Sequence, residues 1–267
     1  MDNKIIDFHV HAFPDELATR AMRKLLEEAP EARAHLDGTV RELLRSMDRC
    51  GIEKCVLSCI ATQPKQFEPI FDWCRQIRGE RVIPFPSVHP ADEAAAKRVE
   101  QIKTEGFAGV KFHPYYQDFR LDEKRMEPIY DKASELGLMV VVHTGYDIAF
   151  AYDRRADCER ILKVAQRWPD LKFIATHLGA WRMWNEVREQ FIGKQVYTEI
   201  SMALEELERH TARDMLMLHP ADYILFGTDS PWTDQGQTLK LLQDLDLPQE
   251  RMEKILYSNA ARLLTGD

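Results

Sequence analysis

The chain has 267 residues, 45% hydrophobic and 30% charged, with a formal net charge of −8. So much apolar content excludes a disordered chain, and no apolar run reaches the ~18 residues that would mark a membrane span. An acidic balance without a basic block excludes nucleic acid as a general partner. The cysteines Cys50, Cys55, Cys59, Cys74 and Cys158 form no Cys-x-x-Cys pair and read as reduced, mostly buried thiols. Met1-Asp2-Asn3-Lys4 carries no basic-then-apolar leader pattern, so a cytoplasmic location is expected.

Short β-rich runs alternate with helical stretches. The first run covers residues 5–11 and leads into a long helical region over 15–50. A second strand is predicted at 54–58, a helix at 69–78, a third strand at 81–85 and a helix at 91–103, rich in helix formers. The fourth strand covers 109–113. The helix after it starts near Asp122 and ends at Gly137, a residue suited to a left-handed helix stop. Strands five to eight fall at 138–143, 172–177, 196–200 and 223–229, and a last helical segment covers 249–264.

Eight strands separated by helices predict a parallel sheet, because each parallel pair needs a crossover. An open doubly wound sheet would show a Gly-rich phosphate loop after its first strand, whereas here that strand runs into His11-Ala12-Phe13-Pro14. The prediction is therefore an α/β fold, a (β/α)8 TIM barrel forming one domain over residues 1–267, with about 33 residues per unit.

Several predicted strands end in a residue that is costly to bury alone. His9 and His11 lie two apart and share a face, and the same alternation puts Asp7 with them. His143, His177 and Asp229 each close an otherwise apolar strand, and Lys111 and His113 sit on the fourth. At intervals of whole βα units, these residues converge on one rim of a barrel, the end where catalytic groups gather. Imidazoles there suit a borderline divalent cation such as Zn2+.

The ordered segments Ile6-Asp7-Phe8-His9-Val10-His11, Gly109-Val110-Lys111-Phe112-His113-Pro114 and Val142-His143-Thr144-Gly145 carry a resemblance. With them go Thr176-His177-Leu178-Gly179, Gly227-Thr228-Asp229-Ser230-Pro231-Trp232 and Asn259-Ala260-Ala261-Arg262-Leu263-Leu264. Together they resemble the amidohydrolase superfamily, and within it the branch of metal-dependent hydrolases that includes aminocarboxymuconate-semialdehyde decarboxylase. The resemblance spans essentially the whole chain. It implies one metal ion, most often zinc, held by His9, His11, His143 and Asp229, with His177 beside it as acid/base or charge stabiliser. Asp229 also serves as a proton acceptor in that scheme, and Asp7 as an orienting partner. A second arrangement in the superfamily carboxylates the lysine equivalent to Lys111 to bridge two ions, with His177 on the second.

The expected reaction is hydrolysis of an ester, lactone or amide in a small acid by a metal-activated water. The alternative is non-oxidative decarboxylation of an unsaturated or aromatic acid, and a further one is a metal-binding protein without turnover. Lys111, His113 and Arg182 are the candidate contacts for an anionic small-molecule substrate, with Arg182 forking its carboxylate. Aromatic residues after the strands, among them Tyr115, Tyr116, Tyr146, Trp181 and Trp232, suit a flat acid. No membrane or nucleic-acid partner is expected, and a homodimer is common in the similar branch.

Overall fold

In the computed structural model, which describes residues 4–266, eight short parallel strands follow one another along the chain. They are β1 (Ile6–Val10), β2 (Lys54–Ser58), β3 (Val82–Phe85), β4 (Gly109–Phe112), β5 (Met139–Val142), β6 (Lys172–Ala175), β7 (Tyr197–Glu199) and β8 (Ile224–Leu225). They form two ladders, β1-β2-β3 and β4-β5-β6-β7-β8. At one seam Phe8 N donates to Phe226 O at 2.7 Å and Asp229 N to His9 O at 2.7 Å, joining β1 to the continuation of β8. At the other, a single backbone bond, Lys111 N to Pro86 O at 2.9 Å, joins the end of β3 to β4. The sheet thus closes into the (β/α)8 barrel.

The thin β3–β4 seam has a cause in the sequence. Arg81 O and Phe85 O accept from β2, so alternation turns residues 82, 84 and 86 toward β4. Two of these are Pro84 and Pro86, which have no N–H to give.

The helices are α1 (Asp15–Glu28), α2 (Val40–Cys50), α3 (Phe67–Ile77), α4 (Ala95–Thr104), α5 (Glu127–Glu135) and α6 (Cys158–Arg167). After them come α7 (Trp184–Glu186), α8 (Ala203–Glu206), α9 (Arg209–Leu218), α10 (Gln235–Asp244), α11 (Gln249–Glu253) and α12 (Asn259–Thr265). The single helical region expected over 15–50 is in fact two helices. Thr39 caps α2 by accepting from Glu42 N, and Gly38 before it takes a left-handed φ of 81°, where a Cβ would lie 2.7 Å from Met22 Cγ. Gly137 takes the predicted left-handed conformation after α5, φ 64°.

Met139, Val141, Ile174 and Leu225 pack inside the barrel with Ile6, Phe8, Val56 and Phe85, closed off by Ala260 and Leu263 of α12. Val110, Val140, Val142 and Phe173 belong to the larger cluster between strands and helices. The C-terminal Asn259 Nδ2 donates to Ala221 O (2.7 Å) and Ile224 O (2.8 Å), which gives that segment a structural role under β8. Among the described residues, no helix is long and apolar enough to cross a membrane.

Candidate metal centre

The first strand is not regular, and this decides which of its residues enter the site. Asp7 pairs with Cys55 but Val10 pairs with Leu57, so three steps on β1 match two on β2. The extra residue is a β-bulge, and it reverses the alternation. His9 and His11 face inward, whereas Asp7 faces out of the barrel, contrary to the expected shared face. Asp7 instead accepts from Thr228 Oγ1 (2.6 Å), Thr228 N (3.0 Å) and Gln235 Nε2 (2.8 Å), clasping β1 to the segment after β8. Burial pushes its carboxyl up to about 7.

His9 Nε2 and His11 Nε2 lie 3.1 Å apart, and Asp229 Oδ1 lies 3.4 and 3.1 Å from them. The far nitrogens are both committed: His9 Nδ1 donates to Glu199 Oε1 at 3.0 Å and His11 Nδ1 to Ser58 O at 2.8 Å. Carboxylate and carbonyl oxygens only accept, so both rings carry the proton on Nδ1 and turn an Nε2 lone pair to the site. Asp229 Oδ1 is buried without a hydrogen-bond partner. Three lone-pair atoms that face one another need a cation between them, and two imidazole nitrogens with one carboxylate oxygen suit a divalent transition metal. The chain's donors fit such an ion.

His143 and His177 make a second pair beside the first. His143 Nε2 donates to Tyr146 O (3.0 Å), leaving Nδ1 turned to His177 Nε2 at 3.0 Å. His177 Nδ1 meets Ser201 Oγ at 2.8 Å, and that hydroxyl donates to Glu199 Oε1 at 2.8 Å. The structure therefore groups His9, His11 and Asp229 at one point and sets His143 with His177 rather than with those three. Lys111, fully buried, places Nζ 2.9 Å from His9 Nε2. Burial pushes the imidazoles of His9, His113, His143 and His177 well below the usual histidine value, so they are neutral near pH 7. It also brings the Lys111 amine down to about 8, against the pull of Asp229 and Glu199.

His177 and Asp229 both take left-handed backbone, φ 58° and 61°, which side chains other than glycine seldom adopt. Each sits just past a strand end, where the turn aims its side chain back over the barrel. His113 stacks on His143 (centroids 4.1 Å apart, 12° between planes), and its Nε2 lies 3.2 Å from Asp147 Oδ2. Tyr116 packs edge-on against both His113 and Phe150, and Tyr146 stacks on Trp181. An aromatic wall therefore stands over the histidines on the β4–β6 side.

Arg182 is placed differently from the expectation. Its guanidinium lies over the Trp181 ring at 4.5 Å, and its Nε donates to Glu206 Oε2 at 3.0 Å. It lines a cavity of about 300 Å³ with Tyr152, Trp184 and Leu207, in which none of the converging histidines takes part. The chain's own Glu206 engages the Nε of this guanidinium, in a cavity apart from the histidines.

Glu199, Ser201 and Asp147 were not singled out by sequence. Glu199 ends β7 as a lone charge after Tyr197 and Thr198, the same signal that marked His143 and Asp229 on their strands. Ser201 and Asp147 stand in connecting segments with no pattern to mark them.

The barrel and the convergent His-x-His, His, His and Asp set define a class of metal-dependent enzymes. A family model described as Amidohydrolase matches residues 6–265, and the chain belongs to that family. No curated protein sequence matches the chain. Among solved structures, it is similar to an uncharacterized TIM-barrel protein from Bordetella bronchiseptica (22% identity, TM-score 0.76, covering 98% of each chain). It is also similar to 5-carboxyvanillate decarboxylase from Sphingomonas paucimobilis (16% identity, TM-score 0.73, covering 98% of this chain and 99% of that one). A third is a dihydroxybenzoic acid decarboxylase from a Polaromonas species, solved with manganese and 2-nitroresorcinol (19% identity, TM-score 0.73, covering 98% of this chain and 97% of that one). At these identities the likeness establishes the fold.

Proposed function

We propose that the protein is a metal-dependent decarboxylase that removes carbon dioxide, without redox chemistry, from a small unsaturated or aromatic carboxylic acid. The observation that carries this reading is a floor of buried, mostly neutral nitrogen groups around three converging lone pairs, with the Lys111 amine 2.9 Å from one of them and an aromatic wall above. His9, His11 and Asp229 would hold one divalent transition-metal ion, with His143 as a further donor. When bound, the ion supplies positive charge to oxygen atoms of the acid. Zinc is no better matched to these donors than manganese, which the Polaromonas decarboxylase holds.

In this scheme the acid lies with its plane against Tyr116 and Tyr146 and its polar edge toward Lys111 and His113. Lys111 adds a positive charge facing the incoming anion. Losing carbon dioxide turns a localised carboxylate charge into one spread over the unsaturated system, a change favoured where water is excluded. The C–C bond breaks, its electron pair stays on the carbon, and that carbon takes a proton. Neutral His177 keeps its proton on Nδ1, tied through Ser201 to Glu199; its Nε2 would take up a proton from solvent and pass it to that carbon. Hydrolysis would use the same ligands with Asp229 as the proton acceptor. The likeness to two decarboxylases in fold and the aromatic wall support the decarboxylation reading.

The test is incubation of the zinc- or manganese-loaded protein with a panel of hydroxybenzoic and conjugated dienoic acids in D2O. The account expects carbon dioxide release with one deuterium on the vacated carbon. Turnover of esters or lactones with no carbon dioxide from any acid would contradict it.

A further inference from the structure

Glu199 is a carboxylate buried completely at the end of β7. Its Oε1 accepts from His9 Nδ1 (3.0 Å), from His177 N (3.0 Å) and from Ser201 Oγ (2.8 Å), and its Oε2 accepts from Ser201 N (2.6 Å). The contact with His9 holds that ring's proton on Nδ1 and leaves Nε2 bare. The Ser201 hydroxyl spends its proton on Glu199, so its oxygen accepts from His177 Nδ1 (2.8 Å), with the Ser201 carbonyl a longer acceptor for the same nitrogen (3.3 Å), and Nε2 of that ring is left bare as well. One acid therefore sets two tautomers, 22 residues from His177 and 190 from His9 along the chain. The space it fills exists because β8 continues with glycine: a Cβ on Gly227 would stand 2.3 Å from Glu199 Oε2.

We propose that Glu199 is the positioning residue shared by both halves of the site, fixing the His9 ring for the ion directly and the His177 ring for proton transfer through Ser201. The inference rests on the metal reading above, and it adds that ion binding and proton delivery depend on one carboxylate. Both arms end on Oε1, which an amide oxygen could still supply, so the variant that removes them is Glu199→Leu, which has no acceptor. Ser201→Ala cuts only the arm to His177. Gly227→Ala keeps the carboxylate but displaces it.

The first measurement is the 15N spectrum of histidine-labelled protein stripped of metal. In the wild type, His9 and His177 are expected as Nδ1–H tautomers. Glu199→Leu and Gly227→Ala should move both toward Nε2–H, and Ser201→Ala should move His177 alone and only in part, since Ser201 O (3.3 Å) still accepts from its Nδ1. The second is zinc affinity by competition with a chromogenic chelator, expected to fall ~10–100-fold for Glu199→Leu and to stay within about 3-fold of wild type for Ser201→Ala, which leaves the Glu199–His9 bond in place. Unchanged tautomers in Glu199→Leu, or equal zinc losses in Glu199→Leu and Ser201→Ala, would overturn the proposal. A wild type that binds no zinc would instead remove the metal reading, and the tautomer spectra would still decide the role of Glu199.

Discussion

Replacing Lys111 with methionine tests the electrostatics of the site without touching a ligand. The Lys111 amine is fully buried 2.9 Å from His9 Nε2, and burial brings it from 10.5 to about 8. A shift of that size corresponds to about 3 kcal/mol at ~1.4 kcal/mol per pH unit, with no solvent screening to discount it. The sign follows from linkage. Between the folded value near 8 and the ordinary lysine value, the unfolded chain binds more protons, so stability rises with pH there. Below about pH 8 the folded protein carries the whole penalty. Lys111→Met, similar in volume and without charge, should therefore stabilise the metal-free protein at pH 7 by an amount approaching about 3 kcal/mol. That advantage should shrink toward zero as the pH approaches 10.5. The assay is urea unfolding of chelator-treated wild type and variant at several pH values, read as the difference between them so that shared titrations cancel. A difference that stays constant from pH 7 to pH 10 would refute the reasoning.

Arg182→Met should change KM for the acid substrate by less than about 3-fold, since the guanidinium lines a cavity that none of the converging histidines shares and no charge-assisted bond to the acid is there to lose; steady-state kinetics with the acid found above checks this. Tyr116→Ala, which opens the wall beside His113, should raise KM with a smaller effect on kcat, the pattern of lost ground-state binding. Gly109→Ala should destabilise by ~1–3 kcal/mol through overpacking, because the new Cβ would lie 2.3 Å from Phe85 Cε2 inside the barrel, and a denaturant midpoint reads it directly.

Most of the barrel was legible because each strand announces itself in one dimension. Runs such as Met139–Val142 are apolar on both faces, as a strand packed inside and outside must be, and their polar last residues mark the rim. That logic located His9, His11, Lys111, His143, His177 and Asp229. It failed at Asp7, because a bulge adds a residue without leaving a trace in the composition, and every side chain before it changes face. Nor could it foresee the setting of Arg182, whose partner Glu206 is brought to it by the fold and is invisible to spacing. The division of the converging side chains into His9–His11–Asp229 and His143–His177 depends on which nitrogen each ring turns inward. Those choices are made by Ser58, Tyr146 and Glu199 from three different strand ends, contacts that only the closed barrel creates.

The central claim is that lone pairs of His9, His11 and Asp229 exist to hold a cation. Equilibrium dialysis of the wild-type chain, His9→Ala and Asp229→Ala against zinc and manganese, followed by elemental analysis, measures this directly. The account predicts one tightly held ion per wild-type chain and loss of that ion in both variants. Wild-type occupancy retained by both variants would place the metal elsewhere and contradict it.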